Sequence, residues 1–316
     1  MLFSTLLGGI ILMLNSKTWF SVWLGLEINM LSFLPMILLS SPRSSESGLK
    51  YFLVQAIASL VILQVSFSWS IFPLHTMFLL IPLALKLGMA PLHFWLPDVV
   101  KAMNWRINML LLTLQKIGPL YLMASISASS GTLLILVGLS SAMVGALGGL
   151  NETDLRKLMA FSSIGHMGWI AIGIMVSALA WALYLLTYIL MATTFMMALE
   201  KMQAFQLTQL TAKTKSSSLI MITLLSLGGF PPFLGFAPKW AVLSESLNTS
   251  PLIAIILVVA SIITLYYYIR AGLSTLVSTG VSNNMSTPLP PLLTTMLYTN
   301  ILGGGLYMLM WSSLVL

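Results

Sequence analysis

The chain has no cysteine among its 316 residues. That excludes a disulfide framework, a thiolate zinc site and cysteine-held iron–sulfur clusters. Charge is nearly as scarce. Only 7% of residues are Asp, Glu, Lys or Arg, against about a quarter in a soluble globular protein. Acid is the scarcer sign, with 7 Asp plus Glu against 14 Lys plus Arg and a net charge of +7. The basic residues form no run and no aromatic interleaving, so no nucleic-acid groove is expected. The sequence also holds no GxGxxG, no GxxxxGK[S/T], no HExxH and no His pair at metal-ligand spacing. No cofactor or metal is therefore expected on this chain itself.

What fills the space is apolar: 58% of residues, with mean hydropathy +1.00. This is the composition of an integral membrane protein, whose spans need about 20 apolar residues each. Met1–Leu14 has no basic start and no small-residue cleavage site after it, so a retained first span is expected, with no transit peptide. Apolar runs then predict about eleven spans, at 2–14, 19–40, 50–69, 74–97, 107–127, 131–150, 160–177, 180–200, 219–247, 251–270 and 291–313. Loop charges test the count. Joints after even-numbered spans hold Arg43, Lys50, Lys101, Arg106, Arg156, Lys157, Lys201, Lys213, Lys215 and Arg270; joints after odd-numbered spans hold only Lys17. This positive-inside bias predicts an N-terminus on the cytoplasmic or matrix side and a C-terminus opposite.

Two spans are interrupted. The fourth reads LALKLGMAPLHFWLPDVV and breaks at Gly88 and Pro91; the ninth reads LLSLGGFPPFLGFAPKWAVL and breaks at Gly228-Gly229 and Pro231-Pro232. Proline removes a helical donor and clashes with the preceding turn. Leu87-Gly88-x-x-Pro91 aligns with Leu227-Gly228-x-x-Pro231 at an offset of 140 residues. Paired broken spans point to a transporter with inverted repeats and a site at membrane depth. The two lie five spans apart, an odd offset that would invert one repeat against the other.

Four ionisable residues lie inside apolar runs: Glu27, Lys86, Lys116 and Lys239. Charge at membrane depth costs several kcal/mol and marks ion or proton routes. Burial disfavours the ammonium of any lysine, and contact with a carboxylate restores it. A Glu27–Lys86 pair that opens and closes would thus be a two-state proton switch. The bland alternative is a static pair that fixes helix packing. His93, beside the first break, and His166, in SSIGHMGWIAIG, are weaker candidates because imidazole titrates near neutrality. His75 falls at a loop and is assigned nothing, and Glu245 is either an exit partner for Lys239 or a loop acid. NETDLRKLMAFSS, at 151–163, reads as a solvated connector.

The runs WLGLEINMLSFLPMIL, KLGMAPLHFWLPDV, LLTLQKIGPLYL, GALGGLNETDLRKLMAFSSIGHMGWI and SLGGFPPFLGFAPKW carry a resemblance across most of residues 20–270. In order and in wording they resemble the antiporter-like membrane-arm subunits of respiratory complex I, in particular the chain 2 family of mitochondrial NADH–ubiquinone oxidoreductase. The resemblance implies an all-α membrane protein with two inverted five-helix repeats, each with a broken helix, and a C-terminal helix. The repeats would be 1–127, carrying Glu27, Lys86 and Lys116, and 131–270, carrying Lys239, with 271–316 as loop and last helix. It implies proton translocation in the mitochondrial inner membrane, coupled to electron transfer from NADH to ubiquinone. NADH, FMN, iron–sulfur clusters and ubiquinone would sit in other subunits. Implied partners are neighbouring antiporter-like chains, small membrane subunits, accessory subunits and phospholipids including cardiolipin. A stand-alone cation/proton antiporter and a purely structural scaffold are the rival readings.

Overall fold

Apolar runs of this kind must satisfy their backbone groups internally, and helices do so within one segment. A computed structural model describes residues 1–40, 44–67, 75–127, 130–211, 216–277, 294–295, 297–305 and 307. Among these residues every regular element is helical, apart from one isolated bridge between Asp154 and Gln206. In chain order they are α1 (Leu2–Asn15), α2 (Trp19–Leu38), α3 (Ser44–Phe67), α4 (His75–Leu87), α5 (Trp95–Ala102), α6 (Trp105–Leu112) and α7 (Leu114–Ile126). There follow α8 (Gly131–Gly148), α9 (Leu155–Val176), α10 (Ala178–Met202), a 3₁₀ turn (Leu207–Thr211), α11 (Ser216–Gly228), α12 (Phe236–Thr249) and α13 (Pro251–Val277). Side chains of Thr18, Asp154 and Ser177 cap α2, α9 and α10, each accepting a bond from a first-turn amide.

Among the described residues seven segments are long and apolar enough to cross a membrane: α2, α3, α8, α9, α10, α13 and the run Trp105–Ile126 that joins α6 to α7. The difference from the expected eleven has physical causes. The first run forms a helix of only 14 residues, and the two broken spans are each divided into shorter pieces. The expected last span, 291–313, lies partly outside the described residues, and Arg43, Lys213 and Lys215 lie outside them. The helices α3 and α9 start at Ser44 and Leu155, earlier than the apolar runs suggest. Their first turns are charged, and Lys50 pairs there with Glu46 at 3.0 Å and Asp98 at 3.6 Å.

The fifth expected span is irregular at Thr113 (φ −118°, ψ −75°), between α6 and α7. Proline at 119 cannot donate to the carbonyl of Gln115, and the Thr113 hydroxyl bonds back to Met109 O at 2.5 Å.

The chain divides into two compact units, Met1–Ser141 and Ala142–Leu316. In the first, α1 and α2 meet backbone to backbone: a Cβ on Gly25 would stand 3.0 Å from Gly9 O. In the second, a Cβ on Gly145 would overlap the Gly165 backbone, so α8 and α9 also touch main chain to main chain. Small residues serve this end in membranes, where close packing drives association.

Each unit contains one broken helix, and the two breaks share their hydrogen bonding. At the end of α4, Gly88 N donates to Leu85 O (3.1 Å) and Met89 N to Ala84 O (2.9 Å). At the end of α11, Gly229 N donates to Ser226 O (3.0 Å) and Phe230 N to Leu225 O (3.1 Å). Both are Schellman caps, which need a left-handed residue just past the helix. Gly88 (φ +69°) and Gly229 (φ +78°) supply it. The equivalent residues are therefore 141 apart, which corrects the offset of 140 read from the motifs. The second break has two glycines in a row, and the left-handed position falls on the second. The Ala90–Pro91 and Pro231–Pro232 peptides are both cis.

Candidate functional site

In the first unit, α2 supplies Glu27 and Asn29, α3 supplies Tyr51, Gln55 and Ser59, α4 supplies Lys86, and α7 supplies Gln115 and Lys116. Lys86 lies one residue before the end of α4 and is 8% exposed. Its ammonium donates to Gln55 O at 3.2 Å, and the Gln55 side-chain amide donates to Lys86 O at 3.4 Å. Glu27 is partly exposed, and its carboxylate accepts the hydroxyl of Ser59. Glu27 and Lys86 form no direct ion pair; each is held separately by α3.

Lys116 is 3% exposed, and its ammonium has no hydrogen-bond partner among the described residues. It faces a cavity of about 20 Å³ that is also lined by Asn29, Tyr51, Gln55, Lys86 and Gln115. That space holds about one water. Gln115 donates to Asn29 Oδ1 at 3.0 Å, so an amide pair flanks the two lysines. His93 does not line this cavity. It sits at the break with Nδ1 3.3 Å from Pro91 O and its ring against Phe94.

In the second unit, α12 carries Lys239, 6% exposed, and turns it back to the break: its ammonium donates to Gly228 O at 2.9 Å. This carbonyl ends α11, where helical acceptors lack partners and negative dipole accumulates. The Trp169 ring lies 5.8 Å from the same ammonium. Glu245 forms no ion pair with Lys239. His166, 5% exposed, has Nδ1 at 3.1 Å from the Tyr184 hydroxyl and its ring against Tyr188. A cavity of about 10 Å³, at the lower limit for one water, touches Lys239, His166, Ser162, Thr264, Tyr267 and Tyr268. A chiefly apolar cleft of about 150 Å³ lies at the break beside Lys239 and Trp240.

The structure thus gathers Lys86 with Lys116, and Lys239 with His166, each pair on one small cavity. Sequence reasoning did not find the groups between them: Gln55 and Ser59 on one face of α3, the Asn29–Gln115 pair, and the tyrosines at 184, 188, 267 and 268. Isolated polar residues in an apolar run were the available signal for Gln55 and Ser59.

The 151–163 connector is more built than a solvated loop. Asp154 caps α9 and pairs with Arg156 at 3.3 Å; Lys157 meets Glu152 at 3.4 Å. Leu155 N donates to Phe205 O, Leu207 N donates back to Thr153 O, and the Arg270 guanidinium donates to Glu152 O.

A family model described as "NADH:quinone oxidoreductase/Mrp antiporter, TM" matches residues 16–72 and 62–264. The NADH-ubiquinone oxidoreductase chain 2 of Halichoerus grypus is 38% identical over 301 residues, covering 89% of this chain and 87% of its own. That of Myosorex kihaulei is 39% identical over 293 residues, covering 87% and 84%. The chain belongs to this antiporter-like family. Among solved structures, a chain of respiratory complex I from Thermus thermophilus shares the fold, with TM-score 0.85 and 24% identity over 98% of this chain and 77% of that one. A chain of the Mrp complex from Dietzia shares it at TM-score 0.79 and 20% identity, over 91% of this chain and 61% of that one.

Proposed function

We propose that this antiporter-like membrane subunit of NADH–ubiquinone oxidoreductase takes part in proton translocation driven by electron transfer from NADH to ubiquinone. The carrying observation is Lys116: a buried ammonium with no hydrogen-bond partner among the described residues, facing a cavity it shares with Lys86. An unpaired buried charge costs more than packing alone would tolerate. A residue that gains and sheds a proton is a reason to keep it.

In this reading Glu27, Lys86, Lys116 and Lys239 carry proton transfer, with His166 and more remotely His93 assisting. The chain crosses the mitochondrial inner membrane about eleven times, in inverted repeats at 1–127 and 131–270, with 271–316 as loop and last helix. The N-terminus faces the matrix and the C-terminus the intermembrane space. The chain acts as part of a translocase and does no redox chemistry itself; NADH, FMN, iron–sulfur clusters and ubiquinone belong to other subunits. Neighbouring antiporter-like chains, small membrane and accessory subunits, and phospholipids including cardiolipin surround it.

The test is Lys116→Met, with Lys86→Met beside it, in the assembled complex reconstituted into vesicles. Proton uptake per electron should fall. Full turnover at an unchanged ratio would remove the chain from the proton route. A scaffold reading has one observation in its favour: Lys86 and Lys239 each have a fixed main-chain acceptor.

A further inference from the structure

We propose that Ser59 is a positioning residue that parks Glu27 away from Lys86, so that its hydroxyl sets when the two charges meet. The proposal rests on the proton-route reading for its functional meaning, but its geometry stands alone.

Glu27 and Lys86 lie on different helices, α2 and α4, with α3 holding both. Ser59 binds the Glu27 carboxylate, and Gln55 O binds the Lys86 ammonium. Ser59 and Gln55 are four residues apart on α3, so they share one face. The two α3 groups thus hold the opposite charges on separate partners, with no direct pair between them.

Ser59 is suited to let go. Its Oγ lies within reach of Glu27 and also 2.9 Å from Ala56 O in its own helix. One hydroxyl proton serves one acceptor fully. Turned to Glu27, it pins the carboxylate. Turned to Ala56 O, it remains satisfied, as a helical serine commonly is through its own backbone. Releasing Glu27 leaves no buried hydroxyl orphaned, which is the usual penalty for breaking such a bond. Lys86 has a matching provision. The Gln55 side chain bonds the Lys86 carbonyl, so α4 stays tethered to α3 when the ammonium swings away. Rotation about the Ser59 Cβ–Oγ bond frees the carboxylate, and side-chain rotations of Glu27 and Lys86, with release of Gln55 O, then close the pair.

The experiment is structure determination of the assembled complex carrying Ser59→Ala or Ser59→Thr, each with proton uptake measured in vesicles. Ser59→Ala should bring the Glu27 carboxylate and Lys86 ammonium to within about 4 Å. Ser59→Thr, which keeps the hydroxyl, should leave them apart. Uptake should fall several-fold in Ser59→Ala, recover in Ser59→Thr, and show no further loss when Ser59→Ala is added to Glu27→Gln. A Ser59→Ala complex with Glu27 still parked overturns the proposal, and so does a full additional loss on the Glu27→Gln background. If the charges close yet uptake holds, the positioning role stands and the proton-route reading fails. Should Ser59→Ala not assemble, Ser59→Cys, a weaker donor of similar size, reads the same distance.

Discussion

The two broken helices make the same turn and use their lysines differently. Around Gly88 and around Gly229 the backbone bonds match pair for pair. Yet Lys86 sits before its break and turns away to α3, while Lys239 sits after its break and returns to the carbonyl that ends α11. At the first break it is Trp95, on the second half-helix, whose Nε1 reaches back to Leu85 O at 3.0 Å. A neutral indole there does what a charged lysine does at Gly228. The break is thus a shared backbone device, and the charge is an addition that each half places for itself. At the second break the cation is part of what holds the break together; at the first it is free of that duty.

The sharpest way to expose this difference is to add a methyl group at each left-handed glycine. A left-handed backbone costs any L-residue about 1–2 kcal/mol, so both Gly88→Ala and Gly229→Ala should destabilise. At Gly88 the new Cβ meets the Leu96 side chain at 3.1 Å. At Gly229 it meets Lys239 Cδ at 2.9 Å and Nζ at 3.1 Å, and so pushes on the bond to Gly228 O as well. Gly229→Ala should show the greater loss of assembled complex on native gels. Equal losses would mean that Lys239 moves aside freely and that its tie to the break is incidental.

The next effect is smaller and separates charge from support. Lys239→Met orphans a carbonyl at a helix end, whereas Lys86→Met exposes Gln55 O, which lies mid-helix within the ladder of α3. Both variants remove one buried cation. The thermal stability of the complex should fall more for Lys239→Met, by about 1 kcal/mol. Lys116→Met should not fall at all, because it removes an ammonium that has no partner to lose.

These contrasts also show what could be read from the residues alone. Helices, breaks and the four charges inside apolar runs were legible because apolar runs, Gly/Pro pairs and isolated ionisable residues are one-dimensional signals. The span boundaries at α3 and α9 were not, since their first turns are charged and helices continue past the apolar run. The offset of 140 missed by one because consecutive glycines and prolines give the pattern two registers, and only backbone dihedrals choose between them. The separation of Glu27 from Lys86 was hidden for a deeper reason. It depends on a serine and a main-chain carbonyl of a third helix, and neither residue type announces a partner 31 or 32 positions away.

The indole at the first break gives the next contrast. Trp95→Phe keeps most of the buried ring and deletes one donor, leaving Leu85 O with only the Gly88 amide. A single neutral hydrogen bond contributes about 0.5–1.5 kcal/mol. If the first break needs its side-chain tie as the second does, Trp95→Phe should lower thermal stability by that amount while leaving the Lys86–Gln55 contact in place. An unchanged melting temperature would mean that the Schellman cap alone closes the first break.

Tyr184→Phe carries the smallest expected effect, and it asks whether the second unit has any counterpart to the α3 device. The Tyr184 hydroxyl stands 3.1 Å from His166 Nδ1, and both groups are buried. Removing the hydroxyl should cost about 1 kcal/mol or less, since the ring remains packed against Trp169 and His166. What distinguishes support from function here is the imidazole. A hydroxyl on Nδ1 biases the tautomer of an imidazole that lines the cavity shared with Lys239. Nitrogen-15 chemical shifts of His166 should therefore change tautomer pattern in Tyr184→Phe, with proton uptake falling modestly. Unchanged shifts would reduce Tyr184 to packing and leave Lys239 tied to its own break without a hydroxyl-set imidazole beside it.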